Sequence, residues 1–168
     1  MNSRVLTTMV LAACLGLGTR TSCAEIGDAD KAFLDTMAAS DMAEVELSRA
    51  ATSQALSPQV RDFAQTIASD HDENYQALLA LCRDKKYAIA PRVDATHGEV
   101  MRRLRSADSP ESAERAYLDA IAVDQATIDS LLEKIAGNSN DADIARFAAD
   151  TLTEVKNHED AAKQLASR

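Results

Sequence analysis

Tryptophan is absent, aromatic residues of any kind make up only 4% of the 168 positions, and the chain holds five glycines and three prolines. A sheet protein needs turn residues at short intervals and fills its strands with aromatic and β-branched side chains, so these scarcities argue against a β architecture. Cysteine is nearly missing as well. The three cysteines are Cys14, Cys23 and Cys82, and the first two fall in the opening segment, so no disulfide framework supports the domain. Positive charge is also in deficit, with 18 Lys and Arg against 27 Asp and Glu and a net charge of −9. An acidic surface repels a phosphate backbone, which excludes nucleic acid as a partner. There is no glycine-rich phosphate loop, Cys-x-x-Cys pair or nucleophile elbow, so covalent catalysis has no candidate beyond Cys82. What is present is a 46% hydrophobic content dominated by small and aliphatic residues. That composition suits long, closely packed helices, and the expected fold class is all-α.

One long apolar run exists, and it lies at the start. "MNSRVLTTMVLAACLGLGTRTSCAE" has Arg4, an apolar stretch from Val5 to about Gly18, then small residues, the layout of a secretory signal. Two processing routes fit it. Ser22 and Ala24 stand three and one positions before a cut ahead of Glu25, which makes residues 1–24 a signal peptide and 25–168 the mature domain. "LAAC", Leu11 to Cys14, instead resembles a lipobox whose cysteine is lipidated, although the apolar run continues past Cys14. Either route takes the protein out of the cytoplasm, to the periplasm, the medium or a lipid anchor on the envelope. Losing residues 1–24 removes Arg4 and Arg20 and no acid, so the net charge moves from −9 to −11. Cys82, at helical spacing from Leu78, is then the last thiol and is expected to be buried.

Four long helices and one short one are expected after that segment. Phe33, Leu34, Met37, Val45, Leu47 and Ala51 mark a helix over about residues 30–55. Ser57 and Pro58 provide a start signal for a second, running to about Lys85. "AIAPRVD" reads as a turn, and "ATHGEVMRRLRSA" as a short crossover helix that carries an exposed His97. Ser109 and Pro110 repeat the start signal for a third long helix through Ala136, with Gly137 as a left-handed stop and "NSND" as turn and cap. A fourth runs from about Ala142 to Ala166. A faint repeat relates them. "FLDTMAASD" from Phe33 aligns with "YLDAIAVDQ" from Tyr117, and "VRDFAQTIASD" from Val60 with "IARFAADTLTE" from Ile144, both at an offset of 84 residues. One offset across two helix pairs implies a duplicated αα-hairpin joined by a crossover, the layout of a ferritin-like four-helix bundle.

The repeat also orients polar residues. Glu44 corresponds to Ile128, on the stripe Leu118, Ile121, Ile128, Leu131, Ile135, so Glu44 is expected on or beside the core face. His71 corresponds to Val155, Asn74 to His158, and Asp41 to Gln125. Residues equidistant from a hairpin turn share a level, which brings Asp41 and Glu44 near His71 and Gln125 near Thr153 to Val155. A polar band is therefore expected across the bundle, and its members must pair, hold a metal or sit in a solvated gap. Glu44, His71 and His158 are the candidate metal ligands, with Asp41, Gln125 and Glu154 as outer or alternate partners. Imidazole and carboxylate together suit iron, zinc or copper. A complete di-iron centre is not expected. Such centres use Glu-x-x-His on two helices, whereas Glu154 and His158 are four apart and no Glu precedes His71 by three. The competing reading is a hydrogen-bonded network such as Glu44 with His71. Asp70, Asp72 and Glu73 read as solvated charges, and Tyr75 and Tyr117 as interior rings with their oxygens at an edge.

"FLDTMAASDMAEVELSRAA", "SPQVRDFAQTIASDHDENYQALLAL" with Asp70-His71, "AYLDAIAVDQATIDSLLEK" and "VKNHEDAAKQL" together resemble the bacterial exported family called domain of unknown function 4142. The resemblance covers nearly the whole mature chain and implies a ferritin-like helical bundle. Family members commonly carry a histidine after "VAD" or "AVD" in the third long helix, where this chain has Gln125, which removes one potential ligand. The family supplies no reaction. The expected function is that of an exported envelope protein, non-catalytic, binding a partner protein or serving in stress. The alternative is a metal-binding or weakly redox-active ferritin-like protein. Contact with a membrane is expected only through a lipid on Cys14.

Overall fold

The computed structural model describes residues 26–54, 56–90 and 95–168, with the backbone alone at 95–97. The expected signal segment, Cys14, the cleavage position and the side chain of His97 lie outside the described residues. Five helices and no strand make up the described chain: α1 Asp28–Thr52, α2 Pro58–Asp84, α3 Ala95–Arg105, α4 Pro110–Asn138 and α5 Ala142–Ala166. None of them is long and apolar enough to cross a membrane.

The ends follow from local chemistry. Asp28 and Asp30 place negative charge in the first turn of α1, where the helix dipole favours it. Pro58 opens α2 where its missing N–H costs no hydrogen bond. Ser57 holds the N-cap position, but its side chain makes no capping bond, and its backbone N–H donates instead to Glu114 of α4. At the other end Lys86 takes a left-handed φ of 55°. Its N–H donates to Arg83 and that of Tyr87 to Cys82, at 3.0 and 2.9 Å, which satisfies carbonyls the helix would leave open. Ser109 and Ser112 cap α4 reciprocally, at 3.2 and 3.1 Å. Asp141 accepts from the N–H groups of Asp143 and Ile144 to start α5. The expected left-handed stop at Gly137 does not occur: α4 runs through it to Asn138, and Ser139 leaves in an extended conformation. The Ser139 hydroxyl and the Asp141 cap make the turn, so no positive φ is needed.

The four long helices pack in a ring, α1 on α2, α2 on α5, α5 on α4 and α4 on α1, with α3 laid against α1 and α4. Among the long helices, the α2–α5 seam is the lightest of the ring's pairings. Two apolar clusters fill the interior. The first holds Phe33, Met37, Leu78, Cys82, Leu132 and Ile144, and the second Leu47, Ile67, Leu104, Tyr117, Ile121 and Ala162. On α4 the buried stripe passes through Leu132 rather than the expected Leu131, which is only partly buried. Every long helix contributes inward polar residues to the middle of the bundle: Asp41 and Glu44 from α1, His71 and Asn74 from α2, Gln125 from α4, Thr151 and His158 from α5.

Candidate functional site

His71 is the hub of that layer. Its Nδ1 lies 2.9 Å from Asp41 Oδ1 and its Nε2 lies 3.1 Å from Glu44 Oε2. Asp41 and Glu44 are fully buried and His71 is 4% exposed. With both ring nitrogens facing carboxylates, the imidazolium is the form that donates at each end. Gln125 Nε2 donates to Glu44 Oε2 at 2.6 Å, so that oxygen accepts from two donors. The 3.0 Å between Gln125 Nε2 and His71 Nε2 is then a contact between two groups sharing one acceptor. Asn74 donates to the second oxygen of Asp41 at 2.9 Å and accepts from Thr151 at 2.9 Å, which carries the network from α1 through α2 to α5. Nearby, Ser48 and Tyr117 bond through their hydroxyls at 2.8 Å.

Burial sets the proton affinities. It raises Glu44 to about 7 against the opposing pull of His71, with Asp124 and Asp41 adding repulsion. Asp41 is likewise raised by burial and opposed by His71 and Asn74. For His71 burial alone lowers the value, but Glu44 and Asp41 outweigh it and bring the ring to about 9. Two acids that hold protons unusually well therefore flank a base that also holds its own.

His158 belongs to a second pair. It is buried, its Nε2 lies 2.9 Å from Asp70 Oδ2, and its ring centroid is 5.5 Å from that of His71. Burial lowers its pKa, and the neighbouring His71 charge acts in the same direction, against Asp70. A gap of about 10 Å³, room for about one water, lies among Asp70, His71, Asn74, Thr151, Glu154 and His158. It adjoins a wider groove of about 320 Å³ along the α2–α5 seam, lined by Asp70, Glu73, Asp150 and Glu154.

The sequence-derived candidates thus divide. Asp41, Glu44, His71 and Gln125 meet in one network, and Gln125 reaches across the ring of helices to Glu44 and His71 rather than toward Thr153 to Val155. His158 is directed to Asp70. Glu154 is exposed and lines the groove, where burial and the acids Asp70, Glu73 and Asp150 raise its pKa. Asp72 and Glu73 are exposed as expected, but Asp70 is partly covered by its bond to His158. Thr151 and Ser48 were not among the candidates. Thr151 lies on the helical stripe of α5, but a hydroxyl beside apolar neighbours gives no signal of its partner. Among the described residues no group of three or more His, Cys, Asp or Glu side chains is placed to hold a metal ion. Within the layer and the adjoining pair, Glu44 Oε1, Gln125 Oε1 and His158 Nδ1 have no hydrogen-bond partner among the described residues.

Fold and site together define an all-helical protein whose core is cut by a buried carboxylate–imidazole layer. The family model for the domain of unknown function DUF4142 matches residues 18–165, and the chain belongs to that family. A solved structure described as the crystal structure of a DUF305 fragment from Deinococcus radiodurans superposes with a TM-score of 0.76. It is 13% identical and covers 85% of this chain and 98% of its own, a likeness of fold alone. No curated protein matches the chain.

Proposed function

We propose that the protein is an exported ferritin-like four-helix bundle, built from a duplicated αα-hairpin, that serves in the envelope as a non-catalytic binding or stress-related module. The observation that carries this reading is the engagement of His71. Both of its ring nitrogens lie on carboxylates, so the most buried base among the described residues is held as an internal ion pair rather than kept free to take a proton from a substrate. The layer then fixes how the helices meet, and binding is left to the outer faces. The closed ring of long helices and the shared 84-residue offset support the duplicated-hairpin origin.

A second reading, a bound transition metal, has one specific observation in its favour. Glu44 Oε2, His71 Nε2 and the Gln125 amide lie within 2.6–3.1 Å of one another. Glu44 Oε1 and Gln125 Oε1 lack partners, and Asp41 on Nδ1 would orient Nε2 as a ligand. These residues would supply nitrogen and oxygen donors suited to iron, zinc or copper. His158 is outside this set. Elemental analysis of protein purified from its native compartment separates the two readings. The first expects no stoichiometric metal in the parent protein. One metal per chain that is lost in His71→Ala and kept in His158→Ala would overturn it in favour of the second.

A further inference from the structure

A large apolar groove lies away from the polar layer, between α1 and α2 near the C-terminal end of α2. It encloses about 480 Å³ and is lined by Ala39, Met42, Tyr75, Leu79, Cys82 and Ile89, with Arg83 at its edge. Volumes of roughly 300–1,000 Å³ with mostly apolar walls are typical of sites for small organic ligands. Met42, 50% exposed, forms part of the groove wall. Met42 and Tyr75 also line a second hollow of about 190 Å³ beside Val45 and Gln76.

Charge is distributed unevenly between the two. In the second hollow Arg49 is already matched by Asp72, at 3.7 Å. In the larger groove Arg83 is the one charged residue in the lining, no carboxylate lines it, and Arg83 has no ion-pair partner among the described residues. In a chain of net charge −9, a cation left unmatched beside an apolar channel complements an anionic head joined to an apolar tail. We infer that the α1–α2 groove binds a single-chain amphiphile with an anionic head group, of the fatty-acid class, its tail along Met42 and Tyr75 and its head at Arg83. The site names a ligand class for the binding role proposed above, yet shares no residue with the interior layer.

The test uses the mature chain with dodecanoate as the probe, below its micelle concentration, followed by titration calorimetry and thermal denaturation. Saturable binding at one molecule per chain and a raised melting temperature are expected, with dodecanol and dodecyltrimethylammonium binding about tenfold or more weakly. Arg83→Gln, on an exposed helix position, should weaken dodecanoate by about tenfold and leave dodecanol unchanged. Ala39→Phe should fill the groove and abolish binding, with helical circular dichroism retained. No saturable binding of dodecanoate, or equal binding of all three probes unaffected by Arg83→Gln, overturns the inference. Neither result touches the metal analysis, so failure here is distinguishable from failure of the interior reading.

Discussion

A lone imidazolium between two buried carboxylates is an arrangement in which each charge depends on the others. Removing His71 leaves Asp41 and Glu44, both fully buried, without their cation. His71→Ala should therefore cost about 3–5 kcal/mol of stability, measured by denaturant unfolding. The loss should be smaller at pH 5 than at pH 8, because the orphaned acids can protonate. A cost under 1 kcal/mol at pH 8 would show that the layer is not an ion pair. The same residues fix the sign of the pH dependence. Glu44, raised to about 7, keeps a proton in the native state that the unfolded chain releases above its ordinary value of 4.5, so stability falls as pH rises between those values. His71 extends the trend. Its contribution is complete below the ordinary 6.5 and is lost as pH rises through about 9. His158, lowered by burial, has the opposite sign and weakens the fold only as pH falls. Between pH 4.5 and 7 the Glu44 contribution amounts to a fall of about 2–3 kcal/mol, from roughly 1.36 kcal/mol per pKa unit. Melting curves across pH 4.5–9 should show the decline in the parent protein, and Glu44→Gln should flatten its lower half.

At the scale of elements, the end of α2 is strained in one place only. Lys86 holds a left-handed conformation that a Cβ disfavours, and it does so because the N–H groups of Lys86 and Tyr87 close the open carbonyls of the last turn. Lys86→Gly should raise the unfolding free energy by about 0.5–1 kcal/mol, the relief of strain less the freedom glycine adds to the unfolded chain. A decrease in a denaturant titration would mean that the lysine side chain contributes more than its backbone costs. The end of α2 at Asp84 falls within a residue of the expected Lys85, but its left-handed residue was not legible in the sequence, since no glycine or asparagine marks it. Ser57-Pro58, Ser109-Pro110 and Asp141 placed three starts within a residue or two because capping is local chemistry. Gly137 misled for the converse reason. Glycine permits a left-handed stop without requiring one, and the hydrogen bonds of Ser139 and Asp141 turned the chain two residues later.

Across the whole molecule, the polar layer is asymmetric in a way the repeat explains only in part. The first hairpin supplies both acids and the hub histidine, and the second answers with Gln125, Thr151 and His158. The 84-residue offset showed which positions face inward, because facing is set by helical period. It could not show which partner each would take, because Gln125 reaches Glu44 across α1–α4 packing that sequence spacing does not encode. The layer also lies between two apolar clusters, so sliding α1 by one turn sets a carboxylate against apolar side chains. Its contribution should thus be to register more than to stability. Replacing its four central members, with Asp41→Leu, Glu44→Met, His71→Leu and Gln125→Leu in one chain, removes four desolvated polar groups; half-buried Asn74 loses Asp41 but keeps its bond to Thr151. Stability at pH 7 should rise by about 1–4 kcal/mol, as for other buried ion networks exchanged for apolar side chains. The decline with pH attributed to Glu44 and His71 should vanish with it. Uniqueness should suffer instead, read as more than one amide resonance for residues near the layer in a nitrogen–proton correlation spectrum. A variant less stable than the parent, with a single sharp set of resonances, would reverse the assignment and make the layer a net source of stability.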